Sequence, residues 1–335
     1  MHKPVNIAAR RENDDNNHVA SLQYSHIDSK SHSHIMPSIV FVLSMHRSGS
    51  SLLTKGLESC QVNLGSNLMQ PGADNKKGFF EDLEMNAINE QILAAQDYQW
   101  SLVGSSPKDL STDENRSFIE RIKTFMTTKV KSADSESFLG LKDPRFCRTL
   151  PYWITAAKEL NMQKKVLFLN RSSLSSAESL RKRNGFSLLG GQTLWLDYSN
   201  EALKHLRGER VLLVHLEHFI HAMKTTLQHI CHFLGTELDP ILAQEYTNAF
   251  FEPSMLSNPR GSEDSIWGLE KGLIKLPNCT VMSDIMLTKL TKLGAKDRKS
   301  KRFFEGALVQ MNWHRQAENE SLRARINNLQ AQLNQ

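Results

Sequence analysis

The stretch SIVFVLSMHRSGSSLLTKG, Ser38 to Gly56, constrains the fold of this chain more than any other part. Ile39, Val40, Phe41, Val42 and Leu43 form a short apolar run rich in β-branched residues, which predicts a buried strand. The chain then turns through Ser44-Met45-His46-Arg47-Ser48-Gly49 into Ser50-Ser51-Leu52-Leu53, where a helical pattern begins. A strand tip, a hydroxyl-rich turn and a helix N-terminus together make a cradle for an anion. First-turn N–H groups lack intrahelical partners, and the helix dipole adds partial positive charge. Gly49 lets the backbone approach a ligand, Arg47 can fork onto phosphate or sulfate oxygens, and Ser50 and Ser51 can donate from their hydroxyls. The alternative is an ordinary strand-turn-helix with an exposed arginine, and the rest of the chain must decide.

Short apolar runs recur at Ser137–Leu141, Lys165–Leu169 and Arg210–Leu216. Helical patterns lie between and after them, near Glu84–Gln96, Glu114–Ala133, Pro151–Leu160, Ser175–Arg183, Gln192–Leu206 and His221–Leu234. This alternation predicts an α/β, P-loop-like three-layer fold with a mainly parallel sheet of four or five strands flanked by helices. Ligands of such sheets sit beyond the carboxyl ends of the strands. The loops after Leu43, Leu141 and Leu169 are therefore expected to share one cleft.

Residues 1–36 are polar and aperiodic, which predicts a disordered tail whose scattered histidines are solvated rather than metal-bound. Residues 37–262 read as one domain and 263–312 as a C-terminal extension packed on it. Residues 313–335 read as a short coiled-coil-like helix, with Leu322, Ile326, Leu329 and Leu333 at alternating spacings of four and three. That helix offers a route to a homodimer, the alternative being a terminal helix that packs on its own domain or frays. Lys plus Arg number 41 against 36 Asp plus Glu, a net charge of +5 with no dense basic stripe, which argues against nucleic acid and suits a small polyanionic ligand. The four cysteines are far apart, no apolar run reaches membrane-spanning length, and the first residues lack the apolar centre of a secretory signal. The expectation is a soluble, cytoplasmic protein without a membrane span or a metal.

The first loop lacks the Lys and the second Gly of GxxxxGK[ST], which disfavours a nucleoside-triphosphate site. A second anion-binding pair is suggested by Arg171, at the third strand's end, and Ser179, eight residues on. Lys142, Asp143 and Arg145 stand at the second strand's tip in LKDPR. Lys142 can face a ligand there or form a structural salt bridge. Glu81 and Asp82, in GFFEDLE, are carboxylates beside two phenylalanines, suited to general-base work or to capping the helix that follows.

The ordered series MHRSGSSLL, NKKGFFED, LKDPR and R-x7-S resembles the sulfotransferase family, most of all the bacterial branch whose loop reads HRSGTS. WLDYSNEAL and LLVHLEHF are similar to further family segments, and the likeness covers roughly Ile39 to Gly235. The resemblance implies a sulfotransferase domain over 37–262 that uses 3′-phosphoadenosine 5′-phosphosulfate as sulfuryl donor. It implies that Arg47, Ser48, Gly49, Ser50 and Ser51 bind the 5′-phosphosulfate, and that Arg171 and Ser179 bind the 3′-phosphate. Arg260 matches a late basic loop over the nucleotide, with an exposed turn residue as the alternative. Glu81, Asp82 and Lys142 are then the catalytic candidates beside Arg47, and the acceptor is a hydroxyl or amine of a glycan, lipid or small metabolite. Many family members carry Lys where this chain has Arg47, so acid assistance to the leaving group is not implied. A phosphotransferase using ATP, and a non-catalytic nucleotide-binding member of the same fold, are the alternatives.

Overall fold

The computed structural model describes residues 37–72, 75–104, 109–131, 138–249 and 265–333; the polar segment 1–36 and Arg260 lie outside them. Strands β1 (Ser38–Leu43), β2 (Val62–Asn63), β3 (Phe138–Lys142), β4 (Gln163–Asn170), β5 (Val211–His215) and β6 (Thr280–Met282) form one sheet in the order β2-β3-β1-β4-β5-β6. All pairs are parallel except β5 with β6. The sheet has six strands, not four or five. The two additional ones, β2 and β6, are edge strands of two and three residues, too short to leave a periodic signal.

Alternation along each strand sends side chains to two cores. Ile39, Phe41 and Leu43 join Leu139, Leu141, Val166, Phe168, Val211 and Leu213 on one face. Val40 and Val42 join Leu167, Leu169, Leu212 and Val214 on the other. Helices cover the first face with residues from α2 (Leu83–Ala94), α3 (Asp113–Lys131), α4 (Phe146–Glu159), α5 (Ser173–Asn184) and α6 (Leu188–His205). The second face is covered from α1 (Ser50–Gly56), a following 3-10 turn, α7 (Leu216–His221), α8 (Met223–Leu234) and α9 (Pro240–Ala249). Caps set the helix limits where the site is built. Asp82 caps α2, Ser172 caps α5 and Ser187 caps α6, while α5 and α8 end at Gly185 and Gly235, both left-handed.

The start of one helix is corrected. Helix α4 starts at Phe146, so Pro151 lies inside it rather than in its first turn. A proline there leaves the carbonyl four residues back without its helical donor. That carbonyl belongs to Cys147, and His205 Nδ1 lies 3.2 Å from it, a tertiary replacement invisible in the local sequence. The helix expected over His221–Leu234 is α8, and a separate short helix, α7, precedes it, the two being broken at Ala222 with φ −141°. Residues 265–333 add α10 (Gly268–Ile274), β6, α11 (Asp284–Arg298) and α12 (Lys301–Leu333). Trp267, Leu269, Leu287 and Phe303 enter the main core, and α12 is one continuous helix. Among the described residues no helix is long and apolar enough to cross a membrane.

Candidate functional site

Because β1 lies between β3 and β4, the loops leaving these three parallel strands are neighbours. The loop after β1 contains two left-handed residues, Arg47 (φ 65°) and Gly49 (φ 78°). A Cβ at Gly49 would stand 2.7 Å from Leu216 Cδ2 at the start of α7, so both backbone conformation and space require glycine. Ser48 and Ser50 are buried, and Ser48 Oγ lies 3.5 Å from Ser176 Oγ on α5.

The loop after β4 meets this turn directly. Arg47 Nε donates to Ser179 Oγ at 3.0 Å, and Arg171 Nη1 donates to the Arg47 carbonyl at 2.6 Å. The two anion-binding groups suggested by the sequence thus stand in contact. Arg171 is 6% exposed, and Trp195 Nε1 on α6 donates to its carbonyl at 2.9 Å. Burial pulls the Arg171 guanidinium below the ordinary arginine range; Glu217 and Glu178 act against that, and Arg47 adds to it. Two carboxylates hold the start of α5: Glu217 accepts from Ser172 N at 3.0 Å and Glu270 from Ser173 N at 2.7 Å. The carboxyl of Glu270 is pushed up by burial, against the hydrogen bonds from Ser173 and Ser265.

The third side of the cluster is the segment Asn75–Asp82, which turns through Gly78 (φ 100°) and Phe80 (φ 55°). The Phe79 carbonyl accepts from Ser51 Oγ at 3.2 Å and from Lys142 Nζ at 3.0 Å, and Asn75 Nδ2 donates to Ser51 Oγ at 3.1 Å. Lys142, 3% exposed, pairs with Glu81 Oε1 at 2.6 Å. The other Glu81 oxygen accepts from Asn86 Nδ2 at 3.0 Å and lies 3.6 Å from Arg145 Nη1. Asp82 takes the capping role: its Oδ1 accepts from the N–H groups of Glu84 and Met85, while Oδ2 pairs with Lys129 at 2.6 Å. Asp143 binds Asn89 at 2.9 Å and Arg145 at 3.0 Å.

One site neighbour went unread in the first loop itself. His46 packs against Trp100 with ring centroids 4.6 Å apart and against Tyr198 at 5.5 Å. Its Nε2 is buried without a hydrogen-bond partner. Burial, followed by the charges of Arg145, Arg183, Lys142 and Arg148, holds the imidazole well below its ordinary pKa. Glu270 was equally unread, because it lies in the weakly patterned C-terminal part. Glu217 stood only inside a segment quoted for its resemblance.

Taken by its chemistry, the cluster presents Arg47 and Arg171 with hydroxyls from two loops, beside a buried carboxylate clamped between cations. It suits a ligand with anionic groups at two points. No protein-family model matches the chain, and no curated protein does. Among solved structures it is similar to the sulfotransferase domain from the Synechococcus PCC 7002 olefin synthase, at 17% identity and TM-score 0.41, covering 78% of this chain and 96% of that one. It is also similar to the sulfotransferase domain from the curacin biosynthetic pathway, at 16% identity and TM-score 0.41, covering 81% and 96%. A third is mouse sulfotransferase SULT7A1 complexed with PAP, at 11% identity and TM-score 0.36, covering 83% and 88%.

Proposed function

We propose that this chain is a sulfotransferase that moves a sulfuryl group from 3′-phosphoadenosine 5′-phosphosulfate to a hydroxyl or amine of a glycan, lipid or small metabolite. The observation that carries the reading is the joining of two arginines from adjacent strand tips, Arg47 donating to the Ser179 hydroxyl and Arg171 to the Arg47 carbonyl. A donor with anionic groups on both sides of its ribose needs a cation at each end. Arg47, Ser48, Gly49, Ser50 and Ser51 would take the phosphosulfate, Arg171 and Ser179 the 3′-phosphate, and Arg260 is a further candidate toward the nucleotide. The absence of the GxxxxGK[ST] lysine weighs against a nucleoside triphosphate.

In this reading the acceptor oxygen or nitrogen attacks sulfur in line, a bond to sulfur forms, and the bond from sulfur to the bridging phosphate oxygen breaks. The electron pair leaves on the phosphate, where Arg47 offsets the developing charge. Glu81 takes the acceptor proton, and Lys142 and Arg145 orient its carboxylate. Asp82 is the reserve candidate for base, although its oxygens are engaged by the α2 cap and Lys129. No step requires a metal. A cytoplasmic setting belongs to the same proposal.

A second reading, a nucleotide binder without turnover, is favoured by one feature: both Glu81 oxygens are already engaged. Two measurements separate the readings. Thermal shift should show stabilisation by 3′-phosphoadenosine 5′-phosphate over ATP with magnesium, since a ligand that binds the native state raises its stability. Preference for ATP with magnesium overturns the donor assignment. Transfer of labelled sulfate into a cell-extract acceptor, identified by mass spectrometry, then distinguishes an enzyme from a binder.

A further inference from the structure

We infer that this chain pairs with a second copy of itself through a parallel, two-stranded coiled coil formed by the part of α12 beyond His314. The near half of α12 is committed to its own body. Phe303 and Gln310 are buried, Trp313 packs on Phe186 at 4.4 Å between ring centroids, and a Cβ at Gly306 would overlap Thr193 of α6. Those residues, spaced three, four and three apart, share one helix face.

Past His314 the situation changes. From Arg315 onward none of the described side chains is buried, and Leu322 and Ile326 stand 57% and 51% exposed. Helices in water draw most of their stability from packing an apolar face. Leu322 and Ile326 belong to such a face, and both are left uncovered.

The residue pattern indicates what covers it. With Leu322 at heptad position d, Ile326 falls at a, Leu329 at d and Leu333 at a, and Asn319 falls at the preceding a. Ile at a with Leu at d favours two strands, and one polar Asn at a sets register. Glu318 then occupies g and Arg323 the following e, the spacing at which opposite charges meet between parallel helices. An antiparallel pairing that brings Leu322 against Ile326 would instead set Asn319 against Leu329, leaving an amide in an apolar layer. The seam stops at Arg315 and Asn312, at d and a, just where α12 meets the body, so two bodies can diverge from it. Two heptads make a weak, concentration-dependent dimer. The inference rests on the helix alone and is independent of the sulfuryl-transfer reading.

Analytical ultracentrifugation of the full chain should show the mean mass rising from one chain toward two as concentration increases. Leu322→Lys/Ile326→Lys should remain monomeric with unchanged thermal stability, because both side chains are exposed in the isolated chain. Arg323→Glu should weaken association several-fold, and Glu318→Arg/Arg323→Glu should restore it. Under oxidised glutathione, Ile326→Cys should form an intermolecular disulfide, two thiols being oxidised as the glutathione disulfide is reduced, whereas Ala324→Cys on the outer face should not. A wild-type chain that stays monomeric, a trimer, or a dimer unaffected by the two lysines overturns the proposal. Equal cross-linking at 324 and 326 overturns the parallel register.

Discussion

Arg47 and Ser179 are 132 residues apart in the chain, and their side chains meet at 3.0 Å between Nε and Oγ. The contact ties the loop after β1 to the helix after β4, so the residues assigned to opposite ends of one ligand form a continuous polar wall. Arg171 reinforces it by donating to the Arg47 carbonyl. Substitution on either side should therefore be felt at both ends of the ligand.

Arg47→Ala should lower turnover by ~100- to 1,000-fold, the loss typical for removing one donor aimed at developing charge. Arg47→Lys keeps the charge without the fork and should retain part of the rate. Steady-state rates with labelled donor check both. An Arg47→Ala enzyme with undiminished kcat would remove Arg47 from the chemistry.

Ser179→Ala should reduce discrimination between 3′-phosphoadenosine 5′-phosphate and adenosine 5′-phosphate, which lacks the 3′ group. The expected loss is about tenfold in relative affinity, or ~1.4 kcal/mol. Calorimetric titration of both nucleotides reads it directly. Equal weakening of the two would mean that Ser179 acts only through Arg47.

Glu81→Gln should abolish turnover while leaving nucleotide affinity nearly intact, since the amide keeps the size and one acceptor oxygen. Loss of nucleotide binding in this variant would recast Glu81 as a purely structural clamp. Lys142→Met should destabilise the fold by about 3–5 kcal/mol by leaving Glu81 buried without its nearest cation. Adding Glu81→Gln to it should recover most of that loss in urea unfolding.

Gly49→Ala should destabilise the chain by roughly 1–3 kcal/mol, because a side chain is forced into a left-handed backbone and toward Leu216. Nucleotide binding should fall along with the melting temperature. A melting temperature equal to that of the wild type would contradict the loop geometry.

Acid should weaken the fold through His46. Its native pKa lies well below the ordinary value, so its share of stability is complete above the unfolded pKa of ~6.5 and is lost as pH falls toward the native value. Each such group contributes a slope of up to ~1.4 kcal/mol per pH unit in that window. His215, also lowered by burial, adds to the wild-type slope. His46→Phe, which keeps a ring against Trp100, should flatten unfolding free energy against pH below 6.5. An unchanged slope would show that His46 does not titrate there.

Much of this site was legible because its parts are local. The apolar run of β1, the turn at Arg47–Gly49 and the placement of Arg171 beyond β4 need only strand periodicity and turn chemistry. The cap at the start of α2 was legible as a role for Glu81 or Asp82, but choosing Asp82 required the hydrogen bonds to Glu84 and Met85. Glu270 and Trp195 were not legible as site supports. Each reaches the turn after β4 from a distant helix, and neither carries a local signal of doing so.

By itself the amino-acid sequence determined the alternation of strands and helices, the uncommon loop between Leu43 and Ser50, and the chemical types available at each strand tip. These follow from hydrophobic period and backbone preference, which act over a few residues. Tertiary structure alone decided that Arg47 meets Ser179, that Lys142 and Arg145 close on Glu81, and that His46 is buried against Trp100 and Tyr198. Those relationships depend on strand order, with β1 inserted between β3 and β4, and such order is set by burying both faces of the sheet at once. A local pattern names the groups; only the packing of distant segments brings their charges within a few ångströms of one another.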